Sequence, residues 1–251
     1  MTSNWTDLLV GIDDTDNLES RGTGFRVRQL AMQLEQNNLA KMAGITRHQL
    51  FVSPQIPYTS HNSSACMRLT VARHDLEKLT SFCRNYLQHE CAEGSDAGLC
   101  IAETAAVGAA IHRFGRRAKS EVLTQQDSRI LAKQHGFFLQ GLTGDQGGVI
   151  GALAAIGLRG EGRDGRFIGL RGIRELAVKS YSLAQLRECT DIEAVETLEG
   201  KQISEPAAKV WITDWARPVL LNGKATLLVE KNDDNQDYQW RVVPKTVIKT
   251  Y

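Results

Sequence analysis

The chain has 251 residues, 42% of them hydrophobic, and its 30 basic and 29 acidic side chains leave a formal net charge of +1. A chain of this length buries a sizeable core, as one large domain or two moderate ones. The balanced charge excludes the global field of a nucleic-acid or membrane binder, so such a partner would need a local patch.

The cysteines and the hydropathy pattern both indicate a reduced, cytoplasmic protein without a membrane partner. Cys66, Cys83, Cys91, Cys100 and Cys189 are odd in number and include no C-x-x-C pair, which argues against a disulfide framework or a zinc ribbon. The first seven residues lack the basic and long apolar regions of a secretory signal. No apolar run approaches the roughly 20 residues that span a bilayer.

The first elements predicted along the chain are a buried strand and an amphipathic helix. Residues 8–12 form an apolar run without polar alternation, which is typical of a strand buried on both faces. Helical spacing of apolar residues predicts a helix over residues 23–37. The acidic segment between them therefore lies in a strand-to-helix connection. Further strands are predicted over residues 48–52 and 65–72, with a polar loop between them.

Amphipathic spacing predicts three helices in the middle of the chain. They cover residues 75–90, 104–118 and 125–135. Gly136 ends the third of them, as glycine commonly does. A glycine-rich turn over residues 141–148 then opens a small-residue helix over residues 149–157, which must pack closely against another element.

The last third of the chain has a different pattern, with β-branched and alternating stretches separated by turns. These stretches are residues 210–212, 225–229 and 240–248, and the turns are Asn222-Gly223 and Asp233-Asp234-Asn235. We therefore predict an α/β (α+β) fold: a mixed sheet with flanking helices, a ferredoxin-like second lobe and a small β-rich C-terminal unit. The predicted domains are a catalytic region of one or two lobes, residues 1–165, and a β-rich region, residues 166–251.

The acidic loop Asp13-Asp14-Thr15-Asp16 places three carboxylates within four residues. Carboxylates this close repel one another unless a cation lies among them, and hard divalent cations prefer oxygen ligands. Mg2+ takes one or two protein carboxylates, keeps several waters and bridges substrate phosphates. We interpret the loop as a Mg2+ and nucleotide-phosphate site at the end of a strand, where open α/β sheets bind ligands. An exposed Asp-rich turn is the alternative.

A phosphatase signature is a second alternative for the same loop. Phosphatases of the haloacid-dehalogenase type carry a buried strand followed by D-x-D-x-[T/V], with the first Asp as nucleophile. Residues 14–18 approach this pattern, with Asp14 in the place of the nucleophile. Leu18 departs from it, because the signature has Thr or Val at the last position.

Three further groups could contact a phosphate or an anionic partner. Gly147 and Gly148 could present backbone N–H groups at a helix N-terminus, although tight helix packing explains these glycines nearly as well. His61 and Asn62 lie in the polar loop, where a solvated histidine is the alternative to a ligand contact. A cluster of basic side chains at residues 113–119 could steer an RNA backbone, although such charges are common at helix ends.

Three segments resemble, in the same order, those of the archaeal tRNA agmatinylcytidine synthetase family. Residues 11–16, GIDDTD, match its opening motif. Residues 56–65, IPYTSHNSSA, are similar to its IPYKTRGNGA segment, and residues 147–157, GGVIGALAAIG, are similar to its RGLIGALAAIG helix. Each segment alone is a weak signal, but the three together are fairly specific.

The resemblance implies an ATP-dependent enzyme that phosphorylates a carbonyl oxygen of the anticodon cytidine in an isoleucine tRNA and lets agmatine displace the phosphate. It implies that Asp13, Asp14 and Asp16 serve ATP and Mg2+. The family follows its acidic loop with a C-T-T-type run that contains a functional threonine, where this chain has RGTGF over residues 21–25. Either Thr23 is the displaced equivalent, or the threonine step is absent.

From the residues and the resemblance together we predict a Mg2+- and ATP-dependent phosphoryl-transfer or ligase-type enzyme. The acceptor is not specified: a nucleoside, a tRNA or a small molecule. The phosphatase and a non-catalytic nucleotide- or RNA-binding module are the alternatives. The family's zinc ribbon is excluded by the cysteine spacing, so the likeness is to the catalytic region. The predicted site consists of Asp13, Asp14, Thr15, Asp16, Gly22, Thr23, His61, Asn62, Gly147 and Gly148.

Overall fold

The computed structural model describes residues 4–56, 62–213, 215–233 and 237–251. The chain divides into two compact units between residues 161 and 162. Both units combine helices with strands, which confirms the predicted α+β class. Within the described ranges, no helix has the length and apolar character needed to cross a bilayer.

The first unit is a five-stranded antiparallel sheet with helices on both faces. Its strands are β1 (Trp5–Asp13), β2 (Lys41–Gln49), β3 (Ser63–Ala72), β4 (Gly98–Glu103) and β5 (Phe138–Gly141). Its helices are α1 (Thr23–Gln36), α2 (Leu76–Glu90), α3 (Ala109–Arg117), α4 (Gln125–Gln134) and α5 (Val149–Glu161). The strand order is β5-β4-β1-β3-β2. The succession βαββαβ from β1 to β4 is the ferredoxin-like arrangement, formed here by residues 5–103.

The central strand β1 is buried on both faces, as its unbroken apolar run predicted. Because residues alternate between the two faces of a strand, Leu9 and Gly11 lie on one face of β1 and Leu8, Val10 and Ile12 lie on the other. Leu9 belongs to the core cluster that contains the apolar side chains of α5. Helix α1 packs against β1, β2 and β3.

Helix α5 is rich in small residues because backbone lies directly against it. A Cβ at Gly11 of β1 would lie 2.0 Å from the carbonyl oxygen of Ala152. A Cβ at Gly157 would lie 2.2 Å from the carbonyl oxygen of Ile111 in α3. The close packing predicted for this helix is therefore confirmed, with β1 on one side and α3 on another.

The bounds of several predicted elements of the first unit differ from the structure: β1 and α5 are longer than the predicted 8–12 and 149–157, and two other elements differ more. The strand predicted over residues 48–52 is β2, which begins at Lys41 and ends at Gln49. A β-bulge between Met42 and Ile45, with Gly44 at φ +113°, interrupts the alternation that would have revealed its first half. The helix predicted over residues 104–118 is a 3₁₀ turn, Thr104–Ala106, followed by α3.

The second unit is β-rich. Its strands are β6 (Arg166–Gly169), β7 (Ser180–Ser182), β8 (Ala194–Thr197), β9 (Lys209–Trp211), β10 (Val219–Leu221), β11 (Lys224–Lys231) and β12 (Trp240–Val242), and its helices are α6 (Leu183–Cys189) and α7 (Lys245–Ile248). Strands β6, β10, β11, β12, β9 and β7 are neighbours in that order, and β8 pairs with β11 in parallel.

One predicted turn of the second unit is confirmed, whereas the last predicted strand is partly wrong. Asn222 and Gly223 have φ +50° and +76° and join β10 to β11, as expected of an Asn-Gly hairpin turn. The alternating stretch over residues 240–248 was predicted as strand throughout, which is wrong, since α7 follows Pro244. Part of the predicted turn at residues 233–235 lies outside the described residues.

The close contact between β1 and α5 predicts a large effect of one methyl group. We expect Gly11→Ala to lower the free energy of unfolding by about 3 kcal/mol, because its Cβ meets backbone that cannot rotate away. Urea denaturation would measure the change. Gly108→Ala is the matched control, since no heavy atom lies within 4 Å of a Cβ there. Equal denaturation midpoints for the two variants would contradict this packing.

Candidate functional site

The acidic loop, residues 13–16, is placed by the pairing of three strands. Asp13 is the last residue of β1 and pairs with Gly98 at the start of β4, and Gly98 pairs with Gly141 at the end of β5. The segments around residues 95–98 and 141–148 therefore lie beside the loop. The sheet here is antiparallel. The rule that open α/β sheets bind ligands at the ends of their parallel strands therefore does not explain the location of this site.

A cavity of about 230 Å³ opens beside the acidic loop. Five aspartates line it: Asp13, Asp14, Asp16, Asp96 and Asp145. The other predicted site residues in its lining are Thr23, Asn62, Gly147 and Gly148. Thr15 and Gly22 do not line it, and His61 lies outside the described residues. Groups predicted from three separate parts of the chain thus surround one space.

Thr23, the first residue of α1, holds the acidic loop against the helix. Its hydroxyl donates to Asp16 Oδ1 at 2.7 Å, and its backbone N–H donates to the same oxygen at 3.0 Å. The backbone N–H and the hydroxyl of Thr15 donate to Thr23 Oγ1 at 3.2 and 3.1 Å. The Thr23 hydroxyl thus uses its one proton and both lone pairs. Thr15, fully buried, acts by fixing the loop.

The side chain of Asp13 occupies space that only a glycine on the facing helix leaves open. A Cβ at Gly151, in the first turn of α5, would lie 1.8 Å from Asp13 Oδ2. Burial raises the pKa of the Asp13 carboxyl to about 8, and the charges of Asp14 and Asp16 add to this rise. The fold therefore holds Asp13 where its negative charge is costly.

Asp14 combines an unusual backbone conformation with a perturbed carboxyl. Its φ of +53° lies in the left-handed region, which few non-glycine residues adopt. Burial, together with the charges of Asp96, Asp16 and Asp145, raises the pKa of the Asp14 carboxyl to about 6. Strain and a shifted pKa at one residue in a cavity are typical of functional sites.

Two of the five aspartates, Asp96 and Asp145, were missed by sequence reasoning. Asp96 Oδ1 accepts from the backbone N–H of Asp145 at 2.6 Å, which ties the two segments together. Only the pairing of the short strands β4 and β5 brings them beside the acidic loop. The one local signal was an acid within the glycine-rich turn that precedes α5.

The two glycines predicted to bind phosphate have intramolecular partners for their N–H groups. The N–H of Gly147 donates to Asp145 Oδ1 at 2.7 Å, and that of Gly148 donates to the carbonyl of Asp96 at 2.8 Å. A Cβ at Gly148 would also lie 2.6 Å from the backbone nitrogen of Gly98. Packing thus accounts for Gly148, and phosphate binding by the two glycines stays a prediction.

Arginines approach the loop from two sides. Arg26 Nε donates to the carbonyl of Thr15 at 3.0 Å. Arg47 Nε donates to Ser63 Oγ at 2.9 Å. Burial lowers the pKa of the Arg47 guanidinium, and the nearby Asp16 carboxylate opposes that effect. Neither arginine was singled out from the sequence, because an isolated Arg in a helix or strand carries no signal.

The basic cluster considered for RNA is partly neutralised within the first unit. Arg116 pairs with Glu161, and Arg117 pairs with Glu121 at 2.8 Å. Glu121 also lines the acidic cavity. These pairs reduce the positive field that the side chains would offer to an RNA backbone, so the patch stays a prediction.

The arrangement of the carboxylates suits a Mg2+ ion that the protein coordinates only in part. Among the residues that the structure describes, no group of three or more His, Cys, Asp or Glu side chains is arranged as a ready metal cage. Mg2+ needs less, because waters and substrate phosphates complete its shell around one or two carboxylates. The raised pKa values of Asp13 and Asp14 indicate burial and repulsion that a divalent cation would relieve. The donors fit the ion.

Sequence comparison gives one distant relative and no family assignment. No protein-family model matches the chain. An uncharacterized protein of Methanocaldococcus jannaschii is 25% identical over 152 residues, which are 60% of this chain and 49% of that protein. The chain thus spans about half the length of this curated relative.

Solved structures of a tRNA agmatidine synthetase, TiaS, share the fold. Its complex with an isoleucine tRNA and ATP is 24% identical, with a TM-score of 0.53 over 61% of this chain and 36% of that chain. A structure described as a tRNA fluorescent labeling enzyme has the same identity and TM-score over 60% and 36% of the two chains. The apo enzyme is 22% identical with a TM-score of 0.52 over 60% and 35%. The likeness to the catalytic region indicated by the motifs is confirmed at the level of the fold, over about a third of these longer chains.

The raised carboxyl pKa values predict how stability changes with pH. Above the ordinary pKa of 3.8 the unfolded chain releases protons that folded Asp13 and Asp14 retain up to about 8 and 6. These two groups therefore lower the free energy of unfolding as pH rises through that window. In metal-free buffer we expect Asp13→Asn to flatten this decline and to be more stable than the parent at about pH 8, by about 1 kcal/mol or more. Chemical denaturation across the pH range would measure it, and parallel curves for parent and variant would refute the assignment.

Proposed function

We propose that residues 1–165 are the catalytic region of a Mg2+- and ATP-dependent enzyme of the phosphoryl-transfer or ligase type. The proposed acceptor is RNA or a nucleoside. The observation that carries the proposal is the convergence of five aspartates on one cavity, two of them with carboxyl pKa values raised by burial and mutual repulsion. A nucleotide with its Mg2+ is the ligand that uses such a site best.

The comparisons support the choice of nucleotide and acceptor. The structures that share this fold include one with an isoleucine tRNA and ATP, and one with tRNA, the ATP analogue AMPCPP and agmatine, at 21% identity and a TM-score of 0.52. The GIDDTD motif of residues 11–16 and the α5 segment are similar to the same family. Because the chain corresponds to about a third of those chains, RNA as acceptor rests on the likeness and not on a contact.

The chain's own residues would act mainly by positioning and by charge. Asp13, Asp14 and Asp16 would hold Mg2+, which supplies neutralisation of the ATP phosphates when bound. Thr23 keeps Asp16 in place and lines the cavity. To accept a phosphoryl group from ATP, with ADP as the leaving group, Thr23 Oγ1 would have to give up a hydrogen bond from Thr15. Asp16 Oδ1, which lies 2.7 Å from the hydroxyl, is within reach to accept its proton. As a phosphate ligand instead, Thr23 would have to turn its hydroxyl from Asp16 to the phosphate.

The acceptor side of the cavity is formed by a different set of groups. Asn62 and Ser63 line it beside the acidic loop. Asn62 Nδ2 donates to the carbonyl of Phe51 at 2.6 Å. This hydrogen bond fixes the orientation of the Asn62 amide group and therefore the direction of its side-chain oxygen. Ile56, Leu50 and Ile150 add apolar lining. A planar base with polar edges matches such a mixture of amide, hydroxyl and apolar surface.

Aspartate-to-asparagine substitutions test the nucleotide assignment. We expect Asp14→Asn and Asp16→Asn each to lower Mg2+-dependent ATP turnover about 100-fold or more, because each removes charge that orients the metal and phosphates. The melting temperature of Asp14→Asn should stay the same or rise, since repulsion is relieved. Turnover would be measured with a tRNA pool and amines present.

Asp7→Asn is the matched control, because Asp7 lies at the other end of β1 and pairs with Arg68 at 2.8 Å. It should retain the parent's turnover. Turnover that persists in both loop variants would contradict the proposal. Hydrolysis of p-nitrophenyl phosphate without ATP that is lost in Asp14→Asn would instead support the phosphatase alternative. Tight ATP binding without turnover of any substrate would support the alternative of a non-catalytic binding module.

A further inference from the structure

The second unit contains a cavity of its own, with the opposite charge to the acidic one. Its volume is about 170 Å³, far more than a single water needs. It is lined by Ile173, Arg174, Leu176, Thr213, Ala216 and Arg217. Two arginines are thus its charged groups, and no acidic side chain of the described part of the chain lines it.

The guanidinium of Arg217 contacts two neighbours, Ala216 and Trp215, which restrict its orientation. Its Nη1 donates to the carbonyl of Ala216 at 2.8 Å. The group lies 5.0 Å from the ring centroid of Trp215, and Lys245 Nζ lies 5.3 Å from the same ring. A planar fork fixed in this way loses little side-chain freedom when a ligand binds to its remaining N–H groups.

Arg174 and Arg217 form no ion pair with a carboxylate of the described residues, whereas two exposed arginines of the same unit do. Arg171 pairs with Asp191 at 2.7 Å, and Arg241 pairs with Glu230 at 2.7 Å. Burial lowers the pKa of the Arg217 guanidinium, and the positive charge of Arg174 lowers it further. Two like charges at one cavity repel each other, and an anion bound between them relieves the repulsion.

We propose that this cavity binds a small ligand through its phosphate group, held by Arg174 and Arg217. Two guanidinium groups suit the several oxygens of a phosphate, which accept bidentate hydrogen bonds. Thr213 adds a hydroxyl donor, because its Oγ1 accepts from the backbone N–H of Trp215 at 3.4 Å and keeps its own proton for a ligand. The accessible surface of the lining is mainly polar, so the phosphate group itself is the part of the ligand that this cavity recognises. A cavity of about 170 Å³ favours a terminal phosphate over a polymer backbone.

Titration of the full chain with inorganic phosphate tests the proposal. We expect saturable binding by calorimetry and a phosphate-dependent rise in melting temperature. Arg174→Gln and Arg217→Gln should each weaken binding about tenfold or more, since each removes charge-assisted hydrogen bonds. Arg217→Lys, which keeps the charge but loses the planar fork, should lie between Arg217→Gln and the parent. Thermal unfolding without phosphate checks that each variant is folded.

Arg171→Gln is the matched control, because it removes an exposed arginine of the same unit that already has a carboxylate partner. It should bind phosphate as the parent does. Asp14→Asn should also bind phosphate normally, so that failure here is separate from failure of the proposed nucleotide site. No saturable binding, an equal loss in Arg171→Gln, or binding of an RNA oligonucleotide that phosphate does not compete away would overturn the proposal.

Discussion

The arrangement of the acidic cavity depends on direct contact between the backbone of α5 and the sheet. At Gly11 and Gly98 a single added carbon would lie within about 2 Å of the backbone of residues 148–152. This contact places the first turn of α5 beside the C-terminal end of β1. The carboxylate of Asp13 lies over Gly151, in space that a larger residue would fill. The charge of the acidic loop is therefore confined to one side of a cavity instead of spreading into solvent.

The burial of the acidic loop changes the acid–base properties of its aspartates. Aspartates in an exposed turn would be hydrated and would keep ordinary pKa values. Here burial and neighbouring aspartates raise the carboxyl pKa of Asp13 to about 8 and that of Asp14 to about 6. The hydrogen bonds from Thr23 hold Asp16 beside them. The fold thus maintains repulsion that a cation relieves, which is the physical basis of the proposed function.

The elements predicted correctly are those specified by local patterns. The apolar run of β1, the periodic spacing of α1 and the small residues of α5 each depend on neighbours within one element. Part of the candidate site could be predicted in this way, because the acidic loop, Thr23 and the glycine turn are short local motifs. Their location around one cavity depends on the pairing of β1, β4 and β5.

The features missed by sequence reasoning depend on pairing between distant segments. β4 and β5 have six and four residues, too short to show a period, and only their pairing places Asp96 and Asp145 at the site. The bulge in β2 and the change from β12 to α7 after Pro244 also interrupt a simple alternation. Arg217 and Arg174 could not be linked from the sequence, because 42 intervening residues separate them in the chain.

A crystal structure of the protein with Mg2+ and a non-hydrolysable ATP analogue would show whether the acidic loop binds a metal ion and phosphates. We expect density for a metal ion on carboxylate oxygens of the loop, with the analogue's phosphates bound to that ion and its base in the cavity. An acidic loop without metal or phosphate under conditions where both are in excess, with Asp13 and Asp14 turned to bulk solvent, would contradict this expectation.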